Sequence, residues 1–271
     1  MDSICGIPIL KDPPIWRSSS PTPQYHLERI HPFIKEFKEY NYNQQLAELI
    51  GGKRIACVAP SPHLKGLSMG EYIDSHDLVV RINQAYNVPK QDWKDYGKRT
   101  DISMDCLNIL KRNALKKNMS FANSLKFIIC PMINMQTLPQ VNRFLKTLEI
   151  PSHNVCDGYL LKLFEQVGTI CNTGLGGIVT LLNYDIKSLY VTGMSFYNMN
   201  TFGKVYNDTY HDEAAKNKNF RQTENKQPSQ SDLRMDIHHQ QPQIDYFAKI
   251  LKHHYPNKLL VDNYLIENFN L

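Results

Sequence analysis

The chain has 271 residues, of which 42% are hydrophobic and 21% are charged, a composition typical of a globular protein with a buried core. Its formal net charge is +5, and the basic residues are scattered without a long Lys/Arg run, so we expect no nucleic-acid partner. No apolar stretch reaches the ~18–20 residues needed to cross a bilayer, which argues against a transmembrane segment.

Residues 1–52 differ from the rest of the chain and predict an N-terminal arm. Prolines and serines at residues 12–23 favour extended and turn conformations, because proline fixes φ and lacks a backbone donor. A polar helix is predicted over residues 32–49, ending at the glycine pair at 51–52. A catalytic domain is predicted to follow at residues 53–271.

From residue 53 onward, strand and helix patterns alternate. Short apolar runs bounded by Gly or Pro predict buried parallel strands at residues 54–59, 78–83, 126–130, 188–192 and 258–261. Helical patterns lie between them, at residues 107–118, 139–148, 158–167, 174–183 and 242–253. This alternation predicts a single α/β, Rossmann-like domain with a mostly parallel central sheet and helices on both faces.

Residues 194–237 interrupt the alternation with a long polar segment rich in Asn, Gln, Lys and Asp. A loop of this length in a compact domain is usually functional, often a lid, or else disordered. We predict a flexible loop that closes over a bound ligand and shields it from water.

Polar and turn-forming residues follow the predicted strands at their carboxyl ends. In chain order they are Pro60 to His63, Asn83 with Gln84, Pro131, and Gly193 to Ser195. Parallel α/β sheets bind ligands outside the carboxyl ends of their strands. The sequence therefore predicts a binding site at this edge of the sheet.

A first motif extends over residues 55–100. It reads IACVAPSPHLKG at 55–66, GEYIDSHDLVVRINQA at 70–85 and DYGKRT at 95–100. It closely resembles the long sialyl motif of family 29 sialyltransferases. That motif begins with a strand, a small polar turn and Leu-Lys. It continues with Ile-Asp-x-His-Asp, then Val-x-Arg-x-Asn-x-Ala, and ends with Asp-x-Gly-x-[Lys/Arg]-Thr. About a dozen positions agree in order and spacing.

A second motif reads NTGLGG at residues 172–177 and leads through a helix to LYVTGM at 189–194. It resembles the short sialyl motif, and it is also similar to the corresponding segments of the bacterial family 42 enzymes. With a His before a C-terminal helix, the resemblance covers most of residues 54–255. It implies a sialyltransferase-type glycosyltransferase with the GT-A variant of the Rossmann-like fold.

The resemblance implies inverting transfer of a sialic acid, or a related ulosonic acid, to a hydroxyl of a glycan or glycolipid acceptor. The donor would be CMP-Neu5Ac or another CMP-ulosonate. We expect no metal or other cofactor, because tyrosines, backbone amides or a helix end can hold the leaving phosphate. The sequence also has no convincing Asp-x-Asp motif flanked by strands. The oligomeric state stays open.

Several residues at the predicted binding edge are candidates for the donor site. Thr173 and Gly174 open a helix whose N–H groups and positive dipole end can hold a phosphate or carboxylate; the alternative is a Thr N-cap with a packing glycine. Asn83 can donate to ribose or phosphate, although an Asn at a strand end is often only a turn former. By family position, Ser61 and His63 would face the cytidine nucleotide.

The remaining donor candidates are Asn172, Ser195, Tyr206, Tyr210 and His211. The hydroxyls of Tyr206 and Tyr210 would stabilise the leaving phosphate by hydrogen bonds. The segment Tyr210 to Asp212 loosely resembles a second family motif, His-Tyr-aromatic-acid.

A general base must deprotonate the acceptor hydroxyl, and His suits this role because its ordinary pKa of about 6.5 leaves it mostly neutral at pH 7. The resemblance implies a base just before a late helix, with an acid five positions on. His239 is the first choice and His238 the runner-up, with Pro242 in the first turn of that helix. The nearest acid is Asp245, one position beyond the family spacing from His239. The alternative is a solvated His pair at a helix start.

Charged residues of the long motif are predicted to be structural, because a charged cluster that leads into a strand commonly forms a hydrogen-bonded corner. These residues are Asp74, His76, Asp77, Asp95, Arg99 and Thr100.

The cysteine pattern predicts a reducing, cytoplasmic location. Six cysteines occur singly, without a CxxC pair, and the first ten residues lack the pattern of a secretory signal. Family enzymes from secretory compartments join the two motifs by a disulfide, and the aligned positions here hold Ile55 and Ile186.

Two other functions are open at this stage. One is a catalytically inactive nucleotide- or glycan-binding protein on the same fold. The other is an unrelated doubly wound enzyme such as a methyltransferase, which is disfavoured because no GxGxxG follows the first strand.

Overall fold

The computed structural model describes residues 3–4, 7–8, 42–84, 86–131, 138–155, 157–197, 206–209 and 240–268. The strands in this part of the chain are β1 (Ser3–Ile4), β2 (Ile7–Pro8), β3 (Arg54–Val58), β4 (Leu78–Ile82), β5 (Ile102–Met104), β6 (Phe127–Cys130), β7 (Ser152–Asn154), β8 (Ser188–Thr192) and β9 (Leu259–Val261). β1 and β2 pair antiparallel. The other seven strands form one parallel sheet in the order β7-β6-β5-β4-β3-β8-β9.

The helices connect the strands and cover the sheet. They are α1 (Gln44–Ile50), α2 (Gly70–Asp74), α3 (Trp93–Tyr96), α4 (Ile109–Lys117), α5 (Met119–Ser124), α6 (Leu138–Leu145), α7 (Asp157–Val167), α8 (Thr173–Leu182), α9 (Gln240–His254) and α10 (Asn263–Asn268), with 3-10 turns at Pro62–Leu64 and Lys90–Asp92. None of the described helices is both long enough and apolar enough to cross a membrane.

Side chains of β3 alternate between two buried hydrophobic clusters. Ile55 and Cys57 pack in the cluster formed with α1, α7, α8 and α9, whereas Ala56 and Val58 pack on the opposite face with α2 and α3. All four side chains are buried, so the strand has no solvent face that would select polar residues. This is the physical reason for the continuous apolar runs, and it confirms the predicted α/β class with helices on both faces.

Each predicted strand and helix of the domain has a counterpart, but two strands were missed. β5 and β7 are only three residues long, and they carry Ser103 and the polar segment Ser152–Asn154. Neither reads as an apolar run in the sequence, because their burial comes from neighbouring strands and helices. The short helices α2, α3, α5 and α10, which have four to six residues, were also missed; a few residues carry too little periodicity to identify a helix.

The predicted boundary between an arm and a catalytic domain at residues 52 and 53 stays a prediction. α1 lies before that boundary, and its Leu46 and Ile50 side chains are fully buried in the main core. Most of the predicted helix at 32–49 lies outside the described residues.

Charged residues of the long motif hold the amino ends of the strands together. Asp77 accepts a hydrogen bond from the backbone N–H of Arg54 at 2.8 Å, which links the starts of β3 and β4. Asp74 accepts from the backbone N–H groups of Lys98 and Arg99, and Arg99 pairs with Asp101 at 2.8 Å. These contacts lie at the edge opposite to the carboxyl ends, in agreement with the predicted structural role.

Candidate active site

A cleft of about 450 Å³ lies at the carboxyl ends of β3, β4 and β8, and we call it the β3–β8 cleft. Seven of the residues predicted to bind the donor line it: Ser61, Asn83, Asn172, Thr173, Gly174, Ser195 and Tyr206. They come from five separate stretches of the chain, which the fold brings to one edge of the sheet.

The loops after β3 and β8 lie side by side because these strands are neighbours in the sheet. Val58 pairs with Thr192 in register, and the N–H of Ser61 then donates to the carbonyl of Gly193 at 2.9 Å. Gly193 has φ +71°, and a Cβ at this position would lie 2.1 Å from the carbonyl oxygen of Ala59. Only glycine allows both this backbone conformation and this close approach.

The start of α8 forms another wall of the β3–β8 cleft. Asn172 is the N-cap, and its Oδ1 accepts from the N–H of Leu175 at 2.8 Å. The alternative of a Thr173 N-cap is therefore wrong. Thr173 and Gly174 occupy the first helical turn, where backbone N–H groups have no partner within the helix. Both residues line the cleft, so the positive end of the helix dipole is directed at it.

Asn83 lies at the end of β4 in the left-handed conformation, with φ +53°. Its Oδ1 accepts from the N–H of Cys106 at 3.1 Å, and its backbone oxygen accepts from Lys111 Nζ at 2.5 Å. The bond from Cys106 orients the side chain with its oxygen toward the protein backbone. The side-chain NH₂ group is thus the part of Asn83 suited to donate to a ligand.

A second cleft of about 450 Å³ lies on the other side of Asn83, and we call it the Lys111 cleft. Two buried cations, Arg81 and Lys111, belong to its lining, and burial lowers the pKa of Arg81 to about 10. The clefts share Ala59, Pro60 and Asn83. The two clefts therefore adjoin each other along the carboxyl edge of the sheet.

Residues 206–209, within the predicted loop at 194–237, contact both clefts. The N–H of Asn207 donates to the carbonyl of Pro60 at 2.9 Å, and the Thr209 hydroxyl donates to Asp92. Tyr206 lines the β3–β8 cleft, whereas Asn207 and Thr209 line the Lys111 cleft. This short segment therefore lies directly beside the candidate site.

Three residues other than glycine line the β3–β8 cleft with positive φ: Asn83 at +53°, Phe196 at +47° and Tyr197 at +60°. Such conformations cost about 1–3 kcal/mol each for residues other than glycine, and they concentrate at functional sites. Phe196 packs against Phe247 of α9 with ring centroids 5.5 Å apart, and Tyr197 contacts Tyr206 edge to face. The surrounding aromatic packing holds this turn in place.

His63 does not line either cleft. Its imidazole is buried between Ser61, 2.9 Å from Nδ1, and Asp262, 2.9 Å from Nε2. Sequence reasoning missed Asp262, although it directly follows the predicted strand at 258–261. It also missed Gln243, a fully buried residue of α9 that bonds to Asn172.

Four of the predicted site residues lie outside the described residues: the candidate bases His238 and His239, and the donor candidates Tyr210 and His211. α9 begins at Gln240. Among the residues that the structure describes, no group of three or more His, Cys, Asp or Glu side chains is arranged to hold a metal ion.

Two solved structures with a similar fold are sialyltransferases. A mammalian sialyltransferase in complex with Gal-beta-1-3GalNAc-ortho-nitrophenol has 15% identity and a TM-score of 0.51, and the match covers 90% of this chain and 81% of that chain. The sialyltransferase CstII from Campylobacter jejuni, in complex with the substrate analogue CMP-3FNeuAc, has 18% identity and a TM-score of 0.50, with 80% and 85% covered. At these identities the likeness concerns the fold alone.

No curated protein matches the chain. The family model described as glycosyltransferase family 29 (sialyltransferase) matches residues 16–158, which is just over half of the chain and includes the whole long motif. The unrelated doubly wound enzyme is thereby excluded. The chain belongs to glycosyltransferase family 29, the sialyltransferases.

Proposed function

We propose that this chain transfers a sialic acid, or a related ulosonic acid, from a CMP-activated donor to a hydroxyl of a glycan or glycolipid acceptor, with inversion at the anomeric carbon. Family membership supports sialyl transfer from a CMP-sugar. The observation that carries the finer proposal is the β3–β8 cleft, where the amino end of α8 meets the hydroxyl and amide side chains of Ser61, Asn83 and Thr173.

In this proposal the start of α8 holds the phosphate of the donor. The N–H groups of Thr173 and Gly174 and the positive helix end favour an anion, and the Thr173 hydroxyl adds a donor. Charge develops on the phosphate as its bond to the sugar breaks, and hydrogen-bond donors fixed in advance stabilise that charge. Because protein groups can provide this stabilisation, we propose a metal-independent reaction.

His239 is the proposed general base, with His238 as the alternative. The base would take the proton of the acceptor hydroxyl while its oxygen bonds to the anomeric carbon, and CMP would leave with the electron pair of the broken C–O bond. The contact between α9 and the cleft supports this choice. α9 begins with the residue that follows His239 in the chain, and its Gln243 bonds to Asn172 of the cleft lining.

Release of CMP from CMP-Neu5Ac in the presence of EDTA tests the proposal without a known acceptor, because transferases commonly hydrolyse their donor slowly. Wild type, His239→Ala and His238→Ala are compared, with His253→Ala as the matched control, since His253 is exposed at the far end of α9. We expect release to collapse in one of the first two variants and to persist in the control.

Two results would contradict the proposal. CMP binding without any turnover, in calorimetry and release assays together, would indicate the catalytically inactive binding protein. Activity that EDTA abolishes and a divalent cation restores would show a metal-dependent reaction instead.

We further propose that the protein works in a reducing compartment. Ile55 and Ile186, which align with the disulfide positions of secretory relatives, are both buried in the main hydrophobic core. Cys57 and Cys171 are also buried, and burial raises the pKa of both thiols, so neither reacts readily. Titration of the denatured protein should find all six cysteines as thiols; a lower number would indicate a disulfide.

A further inference from the structure

Three polar side chains form a hydrogen-bonded chain behind the β3–β8 cleft. Nδ1 of His63 lies 2.9 Å from Ser61 Oγ, and Nε2 lies 2.9 Å from Asp262 Oδ2. Asp262 is 199 residues from His63 in sequence, and it reaches this position because β9 is the neighbour of β8. Of the three residues, only Ser61 lines the cleft.

Asp262 is held as a carboxylate. Burial by itself raises its pKa, but hydrogen bonds from His63, Thr192 and the backbone of Leu265 outweigh burial and hold the pKa below its ordinary value. Oδ2 also accepts from the N–H of Gly193 at 3.0 Å. An ionised carboxylate only accepts hydrogen bonds, so the Nε2 atom of His63 carries a proton directed at Asp262.

The imidazole of His63 has one orientation. Its ring stacks on Tyr264 with centroids 4.2 Å apart and planes 15° apart, and its Nε2 atom bonds to Asp262. The other ring nitrogen, Nδ1, therefore faces Ser61. The backbone of Ser61 is held as well, since its N–H donates to Gly193 and its carbonyl accepts from the Tyr96 hydroxyl at 2.8 Å.

We propose that His63 and Asp262 are positioning residues that fix the direction of the Ser61 hydroxyl, so that Ser61 forms a hydrogen bond with the bound nucleotide. The inference rests on the proposed function. A freely rotating hydroxyl loses entropy when a ligand binds, whereas one already held by Nδ1 presents its remaining hydrogen-bonding capacity to the cleft in advance.

The order Ser-His-Asp is also found in hydrolases whose Ser attacks substrate, but there the Ser bonds to Nε2 and the Asp to Nδ1. Here the two ring nitrogens are exchanged, and the surroundings also favour positioning. Two backbone N–H groups beside this network, those of Ser61 and Gly193, already have partners. The first donates to a carbonyl and the second to Asp262. Neither is thus placed to stabilise an oxyanion at Ser61, as a nucleophilic serine would need.

A double-mutant cycle on CMP affinity, measured by calorimetry, tests the inference. The variants are Ser61→Ala, His63→Phe and the combination; Phe keeps the stacking on Tyr264 but removes both nitrogens. Removal of one hydrogen bond weakens binding by about 3- to 10-fold, so we expect that loss in each single variant. Because His63 acts through Ser61, the double variant should bind no more weakly than Ser61→Ala alone.

Controls separate this role from a structural one. Ser103→Ala removes a buried hydroxyl on β5 that lines neither cleft, and its CMP affinity should equal that of wild type. Asp262→Asn retains the side-chain shape and replaces His63→Phe in the cycle if that variant does not fold. It should weaken CMP binding only when Ser61 is present.

Three results would overturn the inference. If His63→Phe weakens binding equally with and without Ser61, His63 acts on the fold and not through Ser61. A covalent adduct on Ser61, detected by mass spectrometry after incubation with CMP-Neu5Ac, would identify a nucleophile. If wild type does not bind CMP at all, the proposed function fails first, and this is distinct from binding without coupling.

Discussion

The backbone N–H of Asn172 donates to the side-chain oxygen of Gln243 at 2.8 Å. This bond joins the N-cap of α8, on the lining of the β3–β8 cleft, to the first turn of α9. The two residues are 71 positions apart in the chain, and Gln243 is fully buried. The geometry of the candidate site therefore depends on the docking of α9.

Replacement of Gln243 by Leu should destabilise the protein and weaken CMP binding. Leu has a similar volume but leaves the N–H of Asn172 buried without its partner, which costs about 1–3 kcal/mol. Urea denaturation measures the loss, and calorimetry with CMP measures binding. Gln241→Leu is the matched control, because Gln241 is exposed on the same helix. Equal stability of both variants would contradict a role for the Asn172–Gln243 bond.

Replacement of Gly193 by Ala should be much more harmful than the same change at Gly52. Both residues have positive φ, +71° and +65°, but a Cβ at Gly52 meets nothing within 4 Å, whereas one at Gly193 lies 2.1 Å from the carbonyl oxygen of Ala59. In both variants the positive φ should lower the free energy of unfolding by about 1 kcal/mol or more. Thermal unfolding should show a further decrease for Gly193→Ala, because the loops after β3 and β8 approach closely there. Equal decreases in the two variants would contradict this close approach.

Replacement of Asn83 by Asp should preserve the fold and weaken CMP binding by at least about 10-fold. Asp keeps an oxygen for the N–H of Cys106, but it exchanges the NH₂ group for a negative charge, which repels a phosphate. Binding of cytidine, which lacks the phosphate, is the control and should weaken less. Unchanged CMP affinity would contradict a donor-site role for Asn83.

Stability should fall as the pH drops through about 6.5, in part because of His76. Burial lowers the pKa of this residue in the folded protein, while the unfolded chain keeps the ordinary value of about 6.5. Below that pH the unfolded state binds a proton that the folded state does not, so unfolding is favoured. His76 stacks on Tyr190, and His76→Phe retains a ring there without the titration.

Urea unfolding at pH 7.5 and 5.5 measures this dependence. The loss of stability between the two pH values should be smaller in His76→Phe than in wild type. An identical loss in both proteins would assign the dependence to other groups.

The sequence by itself determined the strands that are buried on both faces and the edge of the sheet at which the candidate site lies. Parallel strands of this kind favour apolar residues on both faces, as at residues 55–58 of β3 and 189–191 of β8, and a turn must follow each one. Ser61, Asn83 and Ser195 could therefore be placed at one edge from strand ends alone. The family was also evident from the sequence, because the long motif keeps its residues in order.

Only the tertiary structure decided which side chains meet. The pairing of His63 with Asp262 depends on the sheet order, which places β8 between β3 and β9, and linear patterns do not specify that order. The bond between Asn172 and Gln243 likewise depends on how α9 packs. Contacts between residues far apart in the chain form because the whole core is buried together, so they appear only when the fold is complete.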